Sequence, residues 1–187
     1  MAVVVRTTVP CATIVPMRVR SVVRSPHVLD FVSHSVAQTI RIGQRLGELL
    51  QRGDVVALRG DLGAGKTHLI KGIVQGLGST DVVNSPSFVL INQYRAGAQR
   101  GGMPIYHADL YRIERPAELY GVGLEEALNG DGVCLIEWAE RAEDLLPDDR
   151  LDVHLSHLSE TKRVVRFTPC GRRYEALVDT LKKTAFT

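Results

Sequence analysis

Gly60, Asp61, Leu62, Gly63, Ala64, Gly65, Lys66 and Thr67 stand in succession. They fit G-x-x-x-x-G-K-[ST], the spacing of a loop that cradles nucleotide phosphates. Each residue type has a physical task there. Glycines let the backbone turn tightly, so that several N–H groups converge on one anion. The start of a following helix adds partial positive charge. Lys66 is placed to reach the β- and γ-phosphates, and the Thr67 hydroxyl to ligate Mg²⁺. The candidate nucleotide-binding set is therefore Asp61, Leu62, Gly63, Ala64, Gly65, Lys66, Thr67 and His68. His68 either packs at the helix start or faces the flank of the nucleotide. A Gly-rich turn that binds nothing would share the composition but would not need the same flanks. Here an apolar run, 54–58, precedes the loop and an apolar-periodic segment, 66–77, follows it. Strand, loop and helix is the order the chemistry requires.

A phosphate loop does not define a reaction. It needs a second acidic group for the metal and a device that places the nucleophile. Glu137 ends the run Val133, Cys134, Leu135, Ile136, which is apolar on both faces and so suits a central buried strand. From that position Glu137 would complete the Mg²⁺ shell or polarise a water; the plainer alternative is a surface carboxylate at a strand end. Asp109 interrupts an aromatic-rich, strand-like segment, 105–112. It either contacts metal or water, or pairs with nearby Arg112. Ser85, Pro86 and Ser87 read on spacing as an ordinary turn, with a γ-phosphate-sensing switch as the alternative. Trp138 is the only tryptophan, set either beside the nucleotide or in the core.

The remaining chain must position these groups. Its 187 residues suit one domain with a substantial core. Hydrophobic content of 44% and charged content of 24% are ordinary for a soluble globular protein. No apolar run approaches the roughly 20 residues that cross a membrane. Cys11, Cys134 and Cys170 are far apart and odd in number, which argues against a disulfide framework or zinc site and is consistent with a reducing cytoplasm. Four of the 23 basic residues precede Asp30 and all 21 acids lie from Asp30 onward, leaving 19 basic against 21 acidic residues there, a net of −2. That balance excludes the basic face of a protein that grips nucleic acid alone.

Residues 1–26 are rich in Val and Arg, lack acids and contain three prolines. An Arg-rich targeting peptide is one reading; a disordered or spurious extension, with Met17 or a later codon as the start, is the reading favoured. The domain is then 27–187. It reads as alternating α/β: a strand at 28–32, a helix capped by Ser33 or Ser35 and running to about Gln51, and then the phosphate loop unit. A strand at 88–94, a hairpin turn at 95–102 and a return strand at 104–111 follow. Short helices are expected at 116–120 and 124–128, a buried strand at 133–136 and a helix at 139–145. Strands at 151–158 and 163–167 and a helix at 174–182 close the chain. The expected fold is a single P-loop NTPase domain of the α/β class. Its central, mostly parallel β-sheet is flanked by helices, and the ligand sits at the carboxyl ends of the strands.

Four blocks in this order, Gly60 to Thr67, Ser85-Pro86-Ser87-Phe88, His107-Ala108-Asp109-Leu110-Tyr111-Arg112 and Leu135-Ile136-Glu137-Trp138, resemble the TsaE family, also called YjeE. The resemblance covers 28–167. It implies a small Mg-dependent ATPase, cytoplasmic and weak alone, needed for threonylcarbamoyladenosine beside the anticodon of bacterial tRNA. It implies docking on the TsaD–TsaB pair, with ATP hydrolysis supporting turnover of that complex and with tRNA met only through it. By the same resemblance Lys66 is the phosphate lysine and catalytic. Thr67 and Glu137 are the metal ligands, Asp109 is a catalytic or metal-proximal acid, and Ser85 to Ser87 is switch-like. The chain departs from the family pattern in having His68 where a second Thr is common, Ser87 for Thr, Ala108 for an aromatic residue, and the 1–26 extension. A small-molecule kinase with the same P-loop is the main competing expectation; it calls for a second polar pocket and an Arg-rich lid. A nucleotide-binding scaffold without turnover is the other.

Overall fold

The computed structural model describes residues 27–86, 90–119, 121 and 123–184. The expected extension over 1–26 lies outside the described residues, as do Ser87 and the first positions of the expected strand at 88–94.

In chain order the elements are β1 (Leu29–Ser33), α1 (Val36–Leu49), β2 (Val55–Arg59), α2 (Lys66–Gly76), β3 (Ile91–Arg95), β4 (Pro104–Asp109), α3 (Leu124–Leu128), β5 (Val133–Glu137), β6 (Arg150–His157), β7 (Arg163–Cys170) and α4 (Arg172–Thr184). The strands form one seven-stranded sheet in the order β1-β7-β6-β2-β5-β4-β3. β6, β2, β5 and β4 are mutually parallel. β3 and β7 run against their neighbours, and β1 runs against β7. Five of the seven strands therefore point one way, as the mostly parallel expectation required. β2, β4 and β5 end on the same edge, and the three segments that leave them carry the chemistry.

The structure bears out two expected helical segments and sets their type. Pro116–Leu119 and Ala139–Leu145 are 3-10 turns, and the second is broken at Ala142 (φ −124°, ψ 25°). Ser35, not Ser33, caps α1, accepting from the Gln38 N–H at 3.2 Å. Ser33 is buried instead, with its hydroxyl 2.8 Å from that of Thr39. β7 runs on through Pro169, beyond Phe167, where its pairing with β1 stops. An edge-like stretch is where a strand tolerates a proline.

Sheet alternation sorts the core into two layers. Val56, Leu58, Leu135, Val153 and Leu155 face α1, α2 and α4. Val55, Ala57, Cys134 and Ile136 face α3 and the two 3-10 turns. β5 is buried on both faces, as its apolar run implies.

Helices α1 and α2 meet glycine against backbone. A Cβ at Gly43 would lie 2.4 Å from the Leu69 carbonyl oxygen, and one at Gly47 2.2 Å from that of Ile73. In return, a Cβ at Gly72 would lie 2.1 Å from the Ile40 oxygen, and one at Gly76 2.1 Å from that of Gln44. No side chain fits at any of the four. The helix that begins with Lys66 is thus seated on α1 by backbone contact, at a height that no flexible side chain sets.

Candidate active site

The loop between β2 and α2 is shaped by glycines with positive φ: Gly60 at 126°, Gly63 at 75° and Gly65 at 102°. Gly60 is required twice over, because a Cβ there would also lie 2.0 Å from the Leu155 carbonyl oxygen. Gly65 caps α2 without any side-chain hydrogen bond. No capping side chain competes with an anion for the first N–H groups of the helix.

Lys66 is 4% exposed. Its Nζ donates to the carbonyls of Gly60 at 2.6 Å and Asp61 at 2.9 Å, and it lies 3.9 Å from the centre of the Trp138 ring. Burial lowers its pKa from the ordinary lysine value, opposed by the carboxylates of Glu137, Glu140, Asp109 and Asp61. Next along α2, the Thr67 hydroxyl donates to Glu137 Oε1 at 2.8 Å. Glu137 is 3% exposed.

Register brings the second acid in. Asp109 pairs with Glu137 across β4 and β5, each the last residue of its strand. Adjacent strands lie about 4.8 Å apart, so the two carboxylates share one rim. Asp109 Oδ2 accepts from the Ser85 hydroxyl at 2.6 Å and Oδ1 from the Tyr111 N–H at 3.1 Å. Arg112, the alternative partner named from sequence, donates to the Pro86 carbonyl at 3.0 Å.

Two cavities flank the loop. One, of about 330 Å³, is lined by Lys66, Thr67, Ser85, Asp109, Glu137 and Trp138 among others. The second, of about 360 Å³, lies on the other side, between the start of α1 and the β6–β7 hairpin; Ser35, Thr39, Thr161 and Arg163 line it. Gly63, Gly65 and the exposed His68 border both. Asp61 contributes its carbonyl to Lys66, Leu62 stands 68% exposed at the rim of the first cavity, and Ala64 is fully buried beneath the loop.

The family model described as threonylcarbamoyl adenosine biosynthesis protein TsaE matches residues 33–165. The chain belongs to the TsaE family. It is 42% identical over 146 residues to the tRNA threonylcarbamoyladenosine biosynthesis protein TsaE of Bacillus subtilis, covering 78% of this chain and 89% of that one. Its identity to the TsaE of Treponema pallidum is 38% over 134 residues, covering 72% and 96%. Among solved structures, the crystal structure of Bacillus subtilis YdiB superposes with a TM-score of 0.71 at 36% identity, covering 83% of this chain and 95% of that one.

The matched span contains the Gly60–Thr67 loop, Asp109 and Glu137. Sequence reading left three site features unassigned. His107, fully buried, places Nε2 3.0 Å from Glu137 Oε1; its two-residue offset from Asp109 on a strand was the available signal, since both face α2. Tyr111 sets its ring 5.0 Å from that of Trp138, tilted by 46°. The third feature is the hairpin at Glu160, Thr161 and Arg163, which meets the loop only through the topology of β6 and β7.

Proposed function

We propose that this TsaE chain binds ATP with Mg²⁺ on the Gly60–Thr67 loop and hydrolyses it, weakly alone and faster with TsaD and TsaB, in support of threonylcarbamoyladenosine formation on tRNA. The observation that carries the chemistry is the 2.8 Å contact of Thr67 with Glu137, with Lys66 and Asp109 on the same cavity.

The donor set fits the metal. Mg²⁺ takes hard oxygen ligands and is usually held by one or two carboxylates, with substrate phosphates and water completing its shell. The Thr67 hydroxyl and the Glu137 carboxylate are such ligands, side by side. When bound there, Mg²⁺ supplies charge neutralisation to the phosphate oxygens. The residues do the rest. Lys66 has its ammonium beside the loop that receives the phosphates. Loop N–H groups and the uncapped start of α2 hold the anion. Asp109, with both oxygens oriented by Ser85 and Tyr111, is the group suited to align the attacking water. Water attacks the γ-phosphorus, the bond to the β–γ bridging oxygen breaks, and ADP, phosphate and a proton are released.

The second cavity suits the nucleoside. It lies across the loop from both carboxylates, which makes it a poor acceptor pocket for a kinase, where the acceptor must meet the γ-phosphate. The Bacillus subtilis and Treponema pallidum relatives are named for threonylcarbamoyladenosine biosynthesis. The net charge of −2 from Asp30 onward supports reaching tRNA through protein partners and not by direct grip. No described helix is long and apolar enough to cross a membrane. We place the protein in the cytoplasm, where tRNA is modified.

Mixing the chain with TsaD–TsaB and measuring ATP hydrolysis before and after tests this reading. A rise on mixing is expected. Hydrolysis that stays at background supports a nucleotide-binding scaffold instead, and phosphate transfer to a metabolite supports the kinase.

A further inference from the structure

Strand β4 carries a buried imidazole that the proposed hydrolysis does not use. His107 has no exposed surface. Burying such a ring is costly unless its nitrogens find partners, and both do. Nε2 meets Glu137 Oε1 at 3.0 Å, and Nδ1 lies 3.5 Å from the hydroxyl of Tyr94 on β3. Tyr94, itself 7% exposed, accepts from Asn92 Nδ2 at 3.3 Å, and its hydroxyl, with one proton to give, faces both the Asn84 carbonyl at 3.2 Å and His107 Nδ1. The ring is therefore clamped between a carboxylate and a phenol that is in turn held by backbone and amide.

The contacts on Glu137 are one-sided. Its side-chain hydrogen bonds among the described residues, with Thr67 Oγ1 and His107 Nε2, both fall on Oε1. Glu137 lines the first cavity, and no fully enclosed side-chain oxygen or nitrogen among the described residues lacks a partner. Oε2 is thus the oxygen left open to the cavity.

We propose that His107, backed by Tyr94, is a positioning residue. By pinning Oε1 it fixes the rotation of the carboxylate and presents Oε2 to the metal–phosphate group. This rests on the Mg-nucleotide reading of the site. Groups that orient a metal-binding carboxylate typically change metal affinity by 10- to 100-fold when removed. Thr67 alone cannot fix the carboxylate plane, because one hydrogen bond to one oxygen leaves rotation about the side-chain bond free.

Two substitutions separate the two edges of the ring. The amide nitrogen of Gln stands roughly where Nε2 does, so His107→Gln keeps a donor for Glu137. The amide of Asn stands nearer Nδ1, so His107→Asn keeps a polar neighbour for Tyr94 and abandons Glu137. ADP affinity of each purified protein is measured with and without Mg²⁺, alongside thermal unfolding. In His107→Asn the Mg²⁺-dependent gain in affinity falls about tenfold or more, while Mg-free affinity stays within about twofold. His107→Gln retains the wild-type Mg²⁺ dependence. A wild-type Mg²⁺ response in His107→Asn overturns the proposal, and so does equal loss in both variants with and without Mg²⁺, the signature of a merely structural role. Should His107→Asn fail to fold, Tyr94→Phe carries the test: a reduced Mg²⁺ response supports the clamp and an unchanged one contradicts it. Wild-type protein without any Mg²⁺-dependent ADP binding removes the nucleotide reading and the positioning role together, whereas the other failures remove the positioning role alone.

Discussion

The Nζ of Lys66 lies 3.9 Å from the centre of the Trp138 ring, so the cation that would meet a phosphate is stacked on the chain's only tryptophan. Trp138 holds this place in a left-handed backbone conformation, φ 58° and ψ 43°, the one non-glycine residue among those described with positive φ. That conformation costs about 1–2 kcal/mol for a residue with a side chain. The cost is borne at the mouth of the site, with the Tyr111 ring 5.0 Å away.

A phosphate on the loop competes with the ring and with the Gly60 and Asp61 carbonyls for the ammonium. Adding Mg-ADP is therefore expected to change Trp138 emission in a saturable way. In Lys66→Ala that change is expected to vanish over the same concentrations. An identical titration curve in the variant would show that the ring does not report the lysine.

On the proposed reading, Glu137 and Asp109 serve hydrolysis and not folding. Glu137→Gln and Asp109→Asn preserve size and leave the sheet register intact. Each is expected to keep its thermal midpoint near wild type and to lose partner-stimulated ATP hydrolysis by about 10²-fold or more. Full activity in both would take them out of the site.

The glycine contact between α1 and α2 has a stability consequence. At Gly47 a Cβ would lie 2.2 Å from a backbone oxygen, an overlap that only a helix shift relieves. Gly47→Ala is expected to destabilise by about 1–3 kcal/mol, read as a lower midpoint in denaturant at unchanged slope. Unaltered stability would mean that the helices separate at no cost.

Burial pushes the Cys134 thiol up to about 12 and, largely by the same cause, the Tyr174 phenol up to about 12. Both groups ionise in the unfolded chain first, near 9 and 10. Their protonated forms favour the folded state fully below those values, and that contribution is lost as pH rises toward 12. Each group lowers stability by about 1.4 kcal/mol per pH unit inside its window. Cys134→Ala, less stable at neutral pH through its cavity, is expected to show a shallower fall between pH 9 and 11 in denaturant titrations. Parallel curves would contradict the assignment.

Much of this was legible in the residue order. The loop, its flanking strand and helix, and the apolar run ending at Glu137 each carry a local signal, because glycine placement and alternation are local physics. Asp109 was visible as an acid in a strand-like segment, but its partner was not. Ser85 reaches it across 24 positions, and no local rule sets that contact. The α1–α2 seat had a signal in the paired spacing of Gly43 with Gly47 and of Gly72 with Gly76, which puts each pair on one helix face. The helical segments Pro116–Leu119 and Ala139–Leu145 were expected, but not their 3-10 type, because a few residues give too short a window for a period to emerge.

The central claim is that the Gly60–Thr67 loop holds Mg-ATP through Lys66. Measuring ATP affinity and hydrolysis of wild type and Lys66→Ala, with Mg²⁺ and TsaD–TsaB present, tests it most directly. Wild type is expected to bind and turn over ATP, and the variant to lose nucleotide binding or turnover. Unchanged affinity and unchanged hydrolysis in Lys66→Ala would contradict the account.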